Sequence, residues 1–371
     1  MLEQNANVHG GDIYKASKLY GIKKTDFLDY SANINPLGLP EDLRELLISN
    51  IEGLINYPDP DCVELKTEIS KYLKIDENSI IIGNGASEII FLLFDVLRPR
   101  KVLIPAPTFS EYAHAAHSFG IDVKYFELKE VTNFKLDIQS LINQLFEDKD
   151  IDTIFLCNPN NPTSLLATKV DLLYLIEQAE KKGINIIIDE AFIELTLDAN
   201  ENSVVNYVKE FSNLFIIRAF TKLFAIPGLR LGYGIGNPDL TKRMWERKIP
   251  WSVNALACGI GSVFADKTGY LKRTASWLQE ELGWFYNELK SIAGLKVFKP
   301  NTNFVLIKLM NEQMSSGKLK ELMAVKGILI RDAANFKFLN DRFIRIAVKE
   351  RENNIKFLKS LKEVLYTNRA I

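Results

Sequence analysis

Leu214-Phe215-Ile216-Ile217-Arg218-Ala219-Phe220-Thr221-Lys222-Leu223-Phe224 is the stretch on which the reading of this chain depends. Leu214 to Ile217 is an uninterrupted apolar run, the pattern of a strand buried on both faces of a parallel sheet. The run breaks at Arg218-Ala219-Phe220-Thr221 and presents Lys222 among Phe220, Leu223, Phe224 and Ile226. An amine just past the end of a buried strand is partly desolvated, which disfavours its ammonium form and makes it a better nucleophile. Pro227-Gly228-Leu229-Arg230 follows, then a second strand-like run from Leu231 to Ile235. Arg230 thereby brings a planar anion-binding fork near the lysine. An amine nucleophile beside such an arginine is what an aldehyde cofactor carrying a phosphate requires. A surface lysine in a loop is the simpler alternative, and Lys222 alone does not decide between them.

Working back from that strand, a strand–turn–helix repeat begins at Ser79. Ser79 to Ile82 reads as a strand, Gly83-Asn84-Gly85-Ala86-Ser87-Glu88 as a turn, and Ile89 to Val96 as a buried helix. Free backbone N–H groups at such a helix start form an anion site. The turn is neither a Walker loop nor a dinucleotide fingerprint, and a tight turn without a ligand reads equally well. Further strands are predicted at 101–104, 123–127, 153–157 and 184–188, with helices such as Val170 to Lys182 between them. This alternation argues an α/β fold, a parallel sheet covered by helices on both faces. Ligands on such sheets bind beyond the carboxyl ends of the strands.

Those ends are Gly83-Asn84-Gly85, Pro107-Thr108-Phe109, Asn158 to Thr163, Asp189 and Lys222. Together they offer an anion turn, an aromatic ring, an amide, a carboxylate and a lysine, each of which suits pyridoxal 5′-phosphate. Asp189 ends an apolar strand, where a carboxylate is costly unless paired. Opposite the pyridine nitrogen it would keep that atom protonated and the ring an electron sink. Phe109 could stack on the ring and Asn161 could donate to its phenolate oxygen. The Ala86 and Ser87 amides, Thr221 and Arg230 could hold the phosphate. Asp189 as a simple cap of the segment after it is the competing reading.

The chain has 371 residues, 47% hydrophobic and 25% charged, the composition of a globular protein of two domains. Lys+Arg 46 against Asp+Glu 47 leaves a net charge of −1, so neither nucleic acid nor an anionic membrane is an expected partner. Met1 to Asn5 lacks the basic and apolar regions of a signal peptide, and the apolar run Ile89 to Leu97 is cut by Asp95. A cytoplasmic protein is expected, with Cys62, Cys157 and Cys258 as free thiols. Glu111, His114 and His117 have helical spacing, but with no further ligands nearby no metal site is expected. Cys157 reads as a small core residue.

Residues 1–50 read as an N-terminal arm and part of a small domain, 51–265 as the large domain, and 266–371 as the small domain with its linking helix. The paired glycines of His9-Gly10-Gly11 let backbone approach a ligand closely. Pro40 opens a helix through Leu47, and Val63 to Leu73 is another. Leu256 to Phe264 and Tyr270 to Leu289 read as helices, the second amphipathic. Strands at 295–298, 303–307, 328–330 and 343–347 alternate with helices at 318–326 and 351–366. Arg331 and Arg345 flank two of these strands, and one of them facing the cleft would clamp a substrate carboxylate. Surface arginine is the alternative for either, and the stronger one for Arg331.

At this point the residues resemble the fold-type-I pyridoxal-phosphate enzymes, in the class I/II aminotransferase group that holds threonine-phosphate decarboxylases and histidinol-phosphate aminotransferases. The resemblance rests on Gly83-Asn84-Gly85-Ala86-Ser87-Glu88, Pro107-Thr108-Phe109, Asn160-Asn161-Pro162-Thr163, Asp189-Glu190-Ala191-Phe192, Thr221-Lys222 and Gly228-Leu229-Arg230-Leu231-Gly232-Tyr233. It implies a mostly parallel seven-stranded sheet sandwiched by helices, plus a smaller α+β domain. It also implies that Lys222 bonds the cofactor aldehyde, Asp189 pairs its ring nitrogen, Asn161 binds its ring oxygen and Arg345 holds the substrate carboxylate. Tyr57, in Tyr57-Pro58-Asp59-Pro60, would reach the cofactor phosphate of a neighbouring subunit, which makes a homodimer.

Two positions depart from the family pattern: Phe192 stands where a tyrosine is usual, and Ser164 where the Asn-Pro-Thr run usually ends in glycine. Ser31 to Gly38, with His9-Gly10-Gly11, is closer to the decarboxylase branch. That analogy implies a decarboxylase of L-threonine (or L-serine) O-3-phosphate in cobamide synthesis, with His9 and Asn33 on the substrate phosphate. A histidinol-phosphate or related aminotransferase is the alternative.

Overall fold

The computed structural model describes residues 10–261 and 268–367. Its strands are β1 (Leu28–Asp29), β2 (Ile80–Asn84), β3 (Lys101–Ala106), β4 (Asp122–Glu127), β5 (Ile151–Cys157), β6 (Asn185–Asp189), β7 (Leu214–Ala219) and β8 (Leu231–Ile235). The remainder are β9 (Leu295–Val297), β10 (Phe304–Leu309), β11 (Ile328–Leu329), β12 (Arg331–Asp332) and β13 (Phe343–Ala347). The large sheet has seven strands in the order β2-β8-β7-β6-β5-β3-β4. All its pairings are parallel except those of β8, which runs against both β2 and β7. The α/β reading and the mostly parallel sheet therefore hold.

The unbroken apolar runs follow from burial on two faces. Ile80, Ile82, Ile186, Ile188, Leu214 and Ile216 pack into one core, with helices Val63–Leu73, Ile138–Glu147 and Lys169–Glu180 over it. Ile81, Ile187, Phe215 and Ile217 point the other way, under helices Gly85–Leu97, Glu111–Ser118 and Pro238–Arg247. Side chains alternate faces at every residue of a strand, so a sheet covered on both sides needs apolar residues at both parities.

A second, antiparallel sheet has the order β12-β13-β10-β9. It packs on helices Thr268–Lys290, Ser316–Val325 and Arg351–Thr367 around Phe285, Phe357 and Tyr30. Tyr30 lies just beyond β1, which pairs in parallel with β11, so residues near the start of the chain are built into this C-terminal layer.

Three expectations are corrected or bounded. Cys62 and Cys258, 196 positions apart, form a disulfide with Cα atoms 5.1 Å from each other, and only Cys157 is a free thiol. Linear spacing gave no hint, because the pair meets only when helix Ala255–Cys258 packs near the cap of helix Val63–Leu73. That Ala255–Cys258 helix is four residues long, and 262–264 of the helix read from sequence lie outside the described residues. His9 also lies outside them.

Ser164, the departure from glycine, has φ +65°. Glycine adopts this left-handed backbone without steric cost, and serine does not. Ser164 Oγ accepts the backbone N–H groups of Asn301 and Thr302, each at 3.1 Å, fastening the loop of Asn161 to the C-terminal layer. Ser164→Ala keeps the strained backbone and strands the buried Thr302 N–H, while the Asn301 N–H keeps its bond to the Ser164 carbonyl at 3.1 Å, so a loss of about 1–3 kcal/mol is expected in urea unfolding. Ser164→Gly relieves the strain and should lose less.

Candidate active site

A cavity of about 400 Å³ opens beyond the carboxyl ends of β5, β6 and β7. Its wall includes Ala86, Ser87, Phe109, Asn161, Asp189, Thr221, Lys222 and Arg230, so the sequence-predicted cofactor residues of this chain converge on one space. Lys222 sits on the one-turn helix Phe220–Leu223 that follows β7. Asn35 fixes that turn: its backbone N–H donates to the Lys222 carbonyl at 3.1 Å and its side-chain amide to the Leu223 carbonyl at 3.0 Å. Burial, reinforced by Arg345 and Arg230, pulls the Lys222 amine down to about 8. A lysine in that range is partly neutral at physiological pH and able to attack a carbonyl.

Asp189 is the last residue of β6 and is buried. Its Oδ2 accepts the Tyr112 hydroxyl at 2.7 Å and its Oδ1 the Ala191 N–H at 2.8 Å. The Ala191 contact closes a turn just after β6, but Asp189 is not the cap of the next helical segment, which starts after Phe192, and its carboxylate faces the cavity. Burial pushes its carboxyl up to about 6 against these two donors. A buried carboxylate raised to that point gains from a cationic partner.

On the far wall helix Gly85–Leu97 begins with no side-chain cap, so its first-turn amides have no acceptor within the helix. Arg230 closes over them so tightly that a Cβ at Gly85, where φ is +73°, would collide with the guanidinium. The result is a cup for one small anion.

The other end of the cavity is cationic. Arg331 and Arg345 face each other across the β12–β13 ladder, and both are buried. Arg345 donates to Asn161 Oδ1 at 2.6 Å and to the Ser31 carbonyl at 2.5 Å, while Arg331 donates to Asn335 Oδ1 at 2.7 Å. Among the described residues neither forms an ion pair, and Arg345 Nε has no partner. Burial and then the charge of Arg331 bring Arg345 down to about 9, and burial lowers Arg331 too. The preference for a surface Arg331 is therefore corrected: its strand is two residues long, too short for apolar periodicity to reveal an inward face. Asn33 lines the same space, and its buried amide has no hydrogen-bond partner among the described residues.

The family model for aminotransferase class I and II matches residues 25–361. The chain belongs to that family. It is 38% identical to a putative threonine-phosphate decarboxylase of Caldanaerobacter subterraneus subsp. tengcongensis, over 95% of this chain and 93% of that one. It is 34% identical to the threonine-phosphate decarboxylase of Salmonella typhimurium, over 97% of each. Among solved structures, the histidinol-phosphate aminotransferase of Clostridium acetobutylicum superposes with a TM-score of 0.83 at 38% identity, covering 90% of this chain and 98% of that one.

As a class I/II aminotransferase relative, the chain has the donor set that pyridoxal phosphate needs: a depressed lysine, a buried carboxylate, an amide, an aromatic face and an anion cup. Phe192, where tyrosine is usual, packs edge-on against Phe304 with centroids 5.0 Å apart and offers the cofactor no hydroxyl. Tyr57 is not in this wall; it is 82% exposed and packs on Trp251 at 4.9 Å. Sequence reasoning missed Ser31, Asn335 and above all Tyr112. The only available signal for Tyr112 was its place three residues beyond Phe109 on a helix starting at Glu111, which turns it under the ring site. Cys157 is half-buried in the wall, and burial beside Asp189 raises its thiol to about 12, far from a nucleophile.

Proposed function

We propose that the protein is a pyridoxal-phosphate-dependent decarboxylase of L-threonine (or L-serine) O-3-phosphate. The observation that carries this reading is the pair of buried guanidiniums, Arg331 and Arg345, without a carboxylate paired to either among the described residues. A substrate with two anionic ends, one carboxylate and one phosphate, satisfies both. The two decarboxylase relatives support the same choice. Overall, the α-carboxylate leaves as carbon dioxide, a proton takes its place on Cα, and the product is the amino-alcohol phosphate of the kind that cobamide side-chain synthesis consumes.

Pyridoxal phosphate, when bound, supplies the electron sink for the bond broken at Cα. The chain's residues do the rest. Asp189 holds a proton at the ring nitrogen, Asn161 donates to the ring oxygen, and Phe109 covers one face. The Ala86 and Ser87 amides, Thr221 and Arg230 take the cofactor phosphate. Arg345 orients the substrate carboxylate, and His9, Asn33 and Arg331 take the substrate phosphate. Lys222 would hold the cofactor aldehyde, and its amine would return a proton to Cα. By orienting the carboxylate, Arg345 would set which bond at Cα is broken, and so the choice between decarboxylation and amino transfer.

The protein with pyridoxal phosphate and L-threonine O-3-phosphate is expected to release carbon dioxide without 2-oxoglutarate. Brisk formation of glutamate from 2-oxoglutarate and histidinol phosphate, with threonine phosphate ignored, would overturn the reading in favour of the aminotransferase. That second reading is favoured by the Clostridium structure and by histidinol-phosphate aminotransferases of Methanococcus species that are 30–32% identical to this chain.

A homodimer is part of the same proposal. Ile48, Ile55, Tyr57, Ile249 and Trp251 are each at least half exposed, an apolar surface that a second copy would cover. Tyr57 would then meet the partner's cofactor phosphate. Sedimentation should give twice the monomer mass. No helix among the described residues is long and apolar enough to cross a membrane.

A further inference from the structure

Tyr112 is buried completely at the start of helix Glu111–Ser118, yet it is not a packing residue alone. Its hydroxyl donates to Asp189 Oδ2 at 2.7 Å. Its ring lies flat on Phe155, centroids 4.2 Å apart and planes 22° from parallel. Its edge meets Phe109, centroids 5.6 Å apart and planes at 80°. One side chain thus touches both the carboxylate and the aromatic ring that the cofactor site requires. We propose that Tyr112 is a positioning residue that fixes the rotamer of Asp189 with its carboxylate turned toward the ring nitrogen, while bracing Phe109 against the ring face. The proposal rests on the pyridoxal-phosphate reading and adds to it a residue outside the motifs that suggested it.

The chemistry is that of a fixed donor. Each carboxylate oxygen has two in-plane lone pairs. Tyr112 and Ala191 take one from each oxygen, leaving a free lone pair on the cavity side for an N–H donor. The proton stays on the phenol, because burial and the charge of Asp189 raise its pKa well above the ordinary value. The other groups that act on Asp189 are Glu190 and Lys222, with the Cys157 thiol against both Asp189 and Tyr112. Glu190 is already neutralised by Arg218 at 2.9 Å, and the Cys157 thiol stays protonated. Tyr112 and the Ala191 amide are therefore the hydrogen bonds that oppose the upward push of burial on Asp189.

Removing the hydroxyl raises the Asp189 carboxyl further, from about 6 toward neutrality, so the empty site is protonated over a wider range of pH. The test is equilibrium binding of pyridoxal phosphate to the full-length apoprotein, followed by tryptophan fluorescence between pH 6 and pH 8.5. Tyr112→Phe keeps the ring contacts, and its affinity at pH 7 is expected to fall by about tenfold, the scale of a charge-assisted hydrogen bond. The deficit should shrink as pH rises and the carboxylate ionises again. With Asp189→Asn already in place, Tyr112→Phe should change the affinity by less than about threefold, because contacting residues that act together are non-additive. Parent-like affinity of Tyr112→Phe at every pH overturns the proposal. So does a loss that is constant with pH and additive with Asp189→Asn, which is the signature of packing alone. A parent protein that takes up no pyridoxal phosphate overturns the cofactor reading itself, an outcome distinct from the other two.

Discussion

Lys222→Ala is expected to leave a folded protein that turns over at least about a thousandfold more slowly, the scale seen when a residue that acts at the reacting atoms is removed. Borohydride reduction of the parent with pyridoxal phosphate should add the cofactor's mass to the peptide containing Lys222, and the variant should gain none. The far-ultraviolet circular dichroism should be unchanged, because the lysine contributes little packing: its amine is held in the cavity wall at a desolvation cost. The pH dependence has a defined sign. In the folded protein the amine titrates near 8 and in the unfolded chain near 10.5, so between these values the unfolded chain binds more protons. The stability of the apoprotein therefore rises with pH across that window. The variant should lack that rise, and cofactor uptake by the parent should accelerate with pH and level off above about 8. A variant that still forms a reducible adduct at this peptide would remove Lys222 from the chemistry.

Arg345→Gln should lower kcat/KM for the phospho-amino acid by about 10²–10⁴, the range for removing one partner of a buried, hydrogen-bonded charge pair. Most of the loss should fall on KM, with the apoprotein's affinity for pyridoxal phosphate changed far less. Arg345→Lys should recover only part of it, since one ammonium cannot span Asn161 Oδ1 and the Ser31 carbonyl as the guanidinium does. Arg331→Gln should also raise KM. Either change relieves the like-charge contact across the ladder, but Arg331→Gln gives up one hydrogen bond, to Asn335, where Arg345→Gln gives up two, so it should destabilise the unliganded protein less. An unchanged KM in Arg345→Gln would mean that substrate anions bind elsewhere.

How much of this was legible in sequence depends on the kind of signal. The large sheet was readable because its central strands, such as β6 and β7, are apolar at both parities, and β6 ends in the carboxylate of Asp189. The cofactor residues were readable for the same reason: strand ends are few, and the fold gathers them. Arg331 was not, since a two-residue strand has no period to measure. Tyr112 was not, since what marks it is a contact with a residue 77 positions away. The Cys62–Cys258 link failed likewise, because separation along the chain carries no information about which helix caps meet. Ser164 was visible as a departure, but only its φ and its two backbone donors explain how serine is tolerated there.

The weave of β1 against β11 has a bearing on how this molecule comes into being on the ribosome. Asn35 secures the turn of Lys222, while Ser31 waits for Arg345, a residue made 314 positions later. A nascent chain stalled between Lys222 and Arg331 carries its reactive amine but has neither guanidinium to grip a substrate with. Synthesis order alone then keeps incomplete chains silent, and the earliest and latest translated segments must find each other before the first turnover.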